Sequence, residues 1–229
     1  PEEYVYTDEE LEVIRRGYEQ QEQNRRGARI LYWEDVTEGE MLRPIVKGPL
    51  TVADMAAWFA VHPLFVTSHG RWLWKQRASY PPALADMVTH PVSHIPLSAH
   101  AAHLEPTAAM LVTGVSRPFG QAPQMESWFG HLVTNWMGDD GFLKVLASKI
   151  RRPNYYGDTT WVHGMVVRKY TEAGEYLVDL DIWATQQANL GVPPEQTDLA
   201  KGAIAKLKAD STRVTAHSKA TVRLLARQS

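Results

Sequence analysis

The sequence predicts an α+β protein in which an antiparallel sheet wraps around one long central helix, with a helical arm at the N-terminus. Three observations carry this prediction. Between residues 117 and 140 the apolar side chains fall at Met125, Trp128, Phe129, Leu132, Val133, Trp136 and Met137. That is the i, i+3, i+4 spacing of a helix with one wide buried stripe. Strand-like runs follow directly, at 143–151 (LKVLASKIR), 159–170 (TTWVHGMVVRKY), 175–185 (EYLVDLDIWAT) and 219–226 (KATVRLLA). The link Thr171-Glu172-Ala173-Gly174 reads as a hairpin turn. One long helix followed by antiparallel strands is a layered α+β arrangement.

Taken in order, Thr7 and Asp8 open an acidic-to-basic helical run, EELEVIRRGYEQQEQNRR, whose charge order suits the helix dipole and which Gly27 stops. Its stripe of Leu11, Ile14 and Tyr18 is thin, so residues 1–28 are expected to be an arm packed on the domain or on a partner subunit. Residues 29–229 are then a single domain. RILYWEDV (29–36) and MLRPIVKGPL (41–50) read as strands around a Thr-Glu-Gly-Glu turn. Thr51 is placed to cap a helix with Met55, Trp58 and Phe59 on one face. Segment 62–100, rich in Pro, His and aromatics, is expected to be irregular and pocket-forming. Within it RWLWKQR (71–77) suggests a short helix and Tyr80-Pro81-Pro82 a turn or extended piece. A short helix starts from Pro106, Gly120 and Pro123 lead into the central helix, and Gly138 ends it. Segment 188–213, a Pro-rich turn and a Lys-bearing helix, reads as a surface insertion.

Composition narrows the function classes. A 229-residue chain that is 44% hydrophobic with a net charge of −2 fits one well-cored globular domain with additions, or two small ones. Near-neutral charge gives no footprint for nucleic acid or an anionic membrane surface. No run approaches a transmembrane length and the N-terminal residues lack a signal-peptide core, so a cytoplasmic location is expected. With no cysteine there is no disulfide, no thiol nucleophile and no thiolate metal site. Eight Trp favour packed interfaces or an apolar cavity.

At residues 120–170 the chain resembles the second half of a MaoC-like acyl dehydratase, or (R)-specific enoyl-CoA hydratase, of the hot-dog fold. The matching residues are HLVTNWMGDDG at the helix exit and RPNYYGDTTWVHGMVVRKY in the strands, with Pro153, Gly157-Asp158-Thr159 and Gly164 at the positions where the family has its proline, its turn and a strand glycine. Upstream, YWEDVTEGEMLRPIVKGPLTVADMAAW resembles the family's opening strand, turn and first helix. The likeness covers most of 29–185 and the last strand.

The resemblance implies a thioester site at the start of the central helix, where Gly120 offers its backbone N–H to the acyl-CoA carbonyl. Free N–H groups and the positive dipole end make such a place suitable for an enolate-like oxygen; a plain tight-turn glycine is the other reading. The family's hydration signature aligns with residues 98–105, placing His103 on its histidine and Glu105 on the acid that follows. His103 is the candidate proton carrier, and Glu105 either orients it or is a structural acid. The departures are Ser98 where the family has its catalytic Asp, His100 for its Asn, and Phe119 for the His before the helix glycine. Another carboxylate (Glu105 or Asp86) then substitutes, or His103 acts alone, or hydration is lost. Ser98, His100 and Phe119 are candidate substrate contacts, and Trp72 and Trp74 either line an acyl pocket or simply pack.

His90, His94, His100 and His103 lack a carboxylate-rich motif that would complete a metal site, and no Gly-rich phosphate loop occurs, so neither metal nor other cofactor is expected. The leading expectation is a hydro-lyase acting on an enoyl-CoA or related activated substrate. Its alternatives are a degenerate hot-dog subunit supporting a catalytic partner and, more weakly, a thioesterase, for which Glu126 is the only central-helix carboxylate before the exit. A homodimer or heterodimer of hot-dog subunits is the expected assembly.

Overall fold

The computed structural model describes residues 4–61, 70–79, 87–186 and 214–227. The turn expected at 80–82, Asp86 and the insertion expected at 188–213 lie outside the described residues. In chain order the elements are α1 (Asp8–Asn24), a 3-10 turn (Trp33–Asp35), β1 (Met41–Lys47), α2 (Val52–Val61), α3 (Arg71–Ser79), β2 (Met87–Thr89), β3 (Pro96–Ser98), a second 3-10 turn (Ala99–His103), α4 (Pro106–Thr113), α5 (Ala122–Met137), β4 (Phe142–Ile150), β5 (Thr160–Glu172), β6 (Glu175–Gln186) and β7 (Val214–Leu224). They gather into two compact units: a sheet unit (4–48, 122–152 and 158–227) and a small unit (49–121 and 153–157). No helix among the described residues is long and apolar enough to cross a membrane.

The sheet unit is a five-stranded antiparallel sheet of order β1-β5-β6-β7-β4 packed on α5. The stripe read from sequence is the buried one: Met125, Trp128, Phe129, Leu132, Val133, Trp136 and Met137 all join the core. They meet Leu42, Ile45, Val162, Val166, Val178, Leu180, Ile182 and Val222 from the strands. Gly164 suits the close packing here, since a Cβ would come within 3.0 Å of Leu42 Cδ2 and 3.1 Å of Leu132 Cδ2, so that both leucine side chains would have to give by a few tenths of an ångström. The hairpin between β5 and β6 turns on Ala173 and Gly174, both at positive φ (52° and 80°), as a two-residue type I′ turn requires.

α1 belongs to the sheet unit. It opens with a capping box, in which Thr7 accepts from Glu10 N–H and the Glu10 carboxylate accepts from Thr7 N–H. Ile14 packs with Val46 and Trp161, and Gly17 lets the helix approach, since a Cβ would lie 2.7 Å from Trp161 Cη2. The helix ends at Asn24, before Gly27, because Arg25 is already extended (φ −60°, ψ 121°). Its polar side chains reach the edge strand: Gln21 Oε1 accepts from Val46 N–H at 3.3 Å and the Tyr18 hydroxyl from Gly48 N–H at 2.9 Å.

Two expectations are corrected. Residues 29–36 are not a strand: Tyr32 forms a single bridge to Leu225 and the chain then coils into the 3-10 turn. Trp33 sets this geometry by donating its Nε1–H to Leu177 O at 3.1 Å and its backbone N–H to Leu225 O at 2.8 Å. Within segment 62–100 the short helix expected at 71–77 is α3, but residues 87–98, expected to be irregular, form the β2–β3 hairpin. The Pro and His content of this stretch hid two three-residue strands, whose alternation is too brief to read.

Candidate active site

In the small unit, two irregular stretches are laced together by their backbones. Phe119 and Tyr155 form an antiparallel bridge. Gly120 N–H donates to Asn154 O at 2.7 Å and Tyr156 N–H to Pro118 O at 2.8 Å. Gly157 N–H ties the same stretch to Leu50 O at 2.7 Å, at a φ of 83° that suits glycine. Buried Arg117 adds a guanidinium bond to Tyr156 O and lies over the Tyr155 ring at 5.3 Å. α2 is joined in when Trp58 Nε1–H donates to buried Gln121 Oε1 at 3.0 Å. Its own start is capped as expected, with Thr51 Oγ1 accepting from Asp54 N–H at 3.3 Å.

This lacing fixes His103. The residue ends the second 3-10 turn, and its Nδ1–H donates to Phe119 O at 2.6 Å. A carbonyl can only accept, so the bond selects the Nδ1–H tautomer and leaves Nε2 with its lone pair. The ring sits between Phe59 and Phe119, with centroids 5.5 and 4.5 Å away. Burial pushes its pKa below the ordinary histidine value, opposed by the Phe119 bond and reinforced by His100. At neutral pH the half-buried imidazole is therefore an uncharged base.

The other expected residues are placed differently. Gly120 lies two residues before α5, but its N–H is already engaged by Asn154 O, so it is not the free donor expected. The next N–H, on Gln121, has no hydrogen bond among the described residues. Glu105 does not orient His103. It is the N-cap of α4, accepting from Thr107 N–H (2.9 Å) and Ala108 N–H (2.5 Å). Burial raises its pKa, but these two bonds outweigh burial and hold the carboxyl below its usual value. Pro106 directly after it, at a position with no helical N–H to lose, is the local reason the helix starts there.

Buried Ser98 caps the second 3-10 turn by accepting from His100 N–H at 3.3 Å, and its Oγ lies 3.3 Å from His100 Nδ1. Ser98 and His100 are thus brought to each other, and Phe119 to His103. Trp72 and Trp74 stand on α3 with 55% and 51% of their surfaces exposed, which does not match enclosed pocket walls. Among the described residues no carboxylate bonds His103, and no group of three or more His, Asp or Glu is placed to hold a metal. Sequence reasoning missed Phe59, Asn154, Tyr155 and Gln121. A one-residue bridge leaves no periodic trace; the paired aromatic runs RPFG and PNYYG were the only hint.

No family model and no curated protein matches the sequence. Solved structures match the fold. The (R)-hydratase from A. caviae involved in PHA biosynthesis aligns with a TM-score of 0.52 and 14% identity, over 83% of this chain and 98% of its own. A MaoC-like dehydratase from Rhodospirillum rubrum gives 0.50 and 12%, over 87% and 99%. The ChsH1-ChsH2 complex from Mycobacterium tuberculosis gives 0.50 and 10%, over 82% and 98%. At these identities the likeness establishes the architecture: the chain has the hot-dog fold of MaoC-like dehydratases and (R)-hydratases.

Proposed function

We propose that this hot-dog chain is a hydro-lyase that adds water to the C=C bond of an enoyl thioester, or removes it in reverse. The observation that carries the reading is the His103 Nδ1–H bond to Phe119 O, which leaves Nε2 as a neutral base beside the glycine turn. In the hydration direction Nε2 takes a proton from water as the hydroxyl oxygen bonds to Cβ. The π electrons move to give an enolate, and the imidazolium returns the proton to Cα, so one residue serves both steps. Gln121 N–H, the donor left unengaged next to Gly120, takes the role of holding the enolate oxygen. Ser98 and His100 lie within the same turn and are proposed to shape the water side of the site. The acyl carrier is coenzyme A or a related thioester, and the working assembly is a pair of hot-dog subunits.

The test is turnover of a panel of 2-enoyl-CoAs of several lengths by the isolated chain and by its native complex. Hydration that His103→Ala abolishes supports the reading; no turnover by either preparation across the panel overturns it. The pH profile adds a second check. His103 works in its neutral form and burial lowers its pKa, so the acid limb of kcat/KM is expected below the ordinary histidine value of about 6.5.

A second reading has its own observation. Ser98 stands where the resemblance places a catalytic Asp, and Glu105 is occupied as a helix cap, so His103 has no carboxylate among the described residues. That is the pattern of a subunit that supports a catalytic partner. Turnover by a purified homodimer excludes it.

A further inference from the structure

We infer that the sheet unit carries an anion-binding site, built from Lys47, Arg25 and His131, that takes a phosphate group. Three elements bring these side chains together, and backbone or side-chain bonds pin each of them. Lys47 ends β1, and strand alternation puts it on the α5-facing side with Ile45, opposite Val46. The last turns of α1 run beside this end of β1, held by the Gln21 bond to Val46 and the Tyr18 bond to Gly48, and Arg25 follows Gln21 by one turn. The chain leaving α1 is tied to α5 by Arg26 N–H, which donates to Asn135 O at 3.0 Å, and His131 lies one turn before Asn135.

The electrostatics of the cluster are unfinished. Burial depresses the half-buried Lys47 ammonium, and no carboxylate among the described residues opposes it. Burial also depresses His131, and the positive charges of Lys47 and Arg25 push it further the same way. Among the described residues none of the three makes an ion pair; Glu22, on the preceding turn of α1, pairs with none of them. A half-buried ammonium without an ion pair among the described residues is electrostatically unfavourable until an anion arrives. Two cations, one exposed and one half-buried, and an imidazole able to gain a proton match a phosphate dianion better than a single carboxylate.

The phosphate has two sources, free phosphate or the phosphate end of a nucleotide-bearing acyl carrier. Only the second rests on the hydro-lyase reading. Phosphate binding itself stands whether or not an enoyl thioester turns over.

The experiment titrates the full chain with inorganic phosphate and, separately, with adenosine 3′,5′-bisphosphate, following the His131 imidazole by NMR. A saturable shift is expected, with the His131 pKa moving up in the complex, so that phosphate binds more tightly at a pH of about 6 than about 7.5. Lys47→Met is expected to weaken binding roughly tenfold, as loss of one charge-assisted contact implies, and Lys47→Arg to retain it. A shift that does not saturate, or saturates equally in Lys47→Met and the parent chain, overturns the site. A bisphosphate that binds no more tightly than phosphate overturns the carrier assignment. Lys47→Arg also guards against a trivial folding defect, since it keeps both the charge and the apolar stem.

Discussion

The two units of this molecule are held by different forces. The sheet unit buries Phe129, Leu132, Val133, Leu180 and Ile182 almost completely, so its cohesion comes from apolar area and close packing. Among the described residues the small unit buries Leu50, Met55, Phe59 and Leu73 and is laced by the Phe119–Tyr155 bridge, the Gly120, Tyr156 and Gly157 bonds and the helix caps. The difference teaches where change is tolerated. An apolar core loses energy wherever it is cut, whereas a bond-laced segment loses register at one point and keeps the rest.

Substitutions test that contrast. The largest effect is expected from Phe129→Ala, which removes a fully buried ring at the centre of α5 and should cost about 3–5 kcal/mol in denaturant unfolding. A loss near 1 kcal/mol would mean that the core relaxes as easily as the small unit. His103→Ala should reduce kcat/KM by about 10²–10⁴-fold while the unfolding midpoint moves little, because the half-buried ring gives up one hydrogen bond. A large stability loss with unchanged kinetics would reverse the assignment.

Acid separates the units in another way. His163 on β5 stacks on Trp183 and bonds Thr185 Oγ1, and burial lowers its pKa to about 4. The unfolded chain, with a histidine pKa near 6.5, then binds more protons than the folded one, so stability falls as pH drops from about 6.5 to about 4. The loss is at most about 3 kcal/mol, and His163→Gln should flatten it in pH-dependent unfolding. Smallest is the Glu105 cap. Glu105→Ala should cost about 1 kcal/mol and fray α4, seen as faster amide exchange at Thr107 and Ala108. If it instead abolished turnover with the helix intact, Glu105 would be a reacting group after all.

How far the sequence could be read follows the same division. The α5 stripe and the four strands after it were legible because each repeats its period over several turns or residue pairs. The residue types around the site were legible through the Ala-His-Leu-Glu run, but their bonding was not. Glu105 next to Pro106 carries the local signature of a helix cap, a role that an acid two residues after a histidine does not by itself disclose. Nothing local announces that Gly120 N–H will meet Asn154 O, because the partners are 34 residues apart and pair through backbone atoms common to every residue. Residues 29–36 failed for a related reason: strand-like composition there was overruled by Trp33 bonding to two distant carbonyls.

The ends of the sheet are finished unequally. On β1 Pro44 has no N–H to offer, and α1 occupies the N–H groups of Val46 and Gly48. At the other end β4 runs for nine residues without a proline, with Phe142 and Val145 half exposed and no further strand beyond it among the described residues. A ribbon sealed on one margin has a single direction in which to lengthen. Once two copies meet along their open margins, both remaining margins are sealed ones, and addition stops. Edge-on pairing through the described strands alone would therefore end at a pair of copies joined along β4 instead of propagating into a fibre.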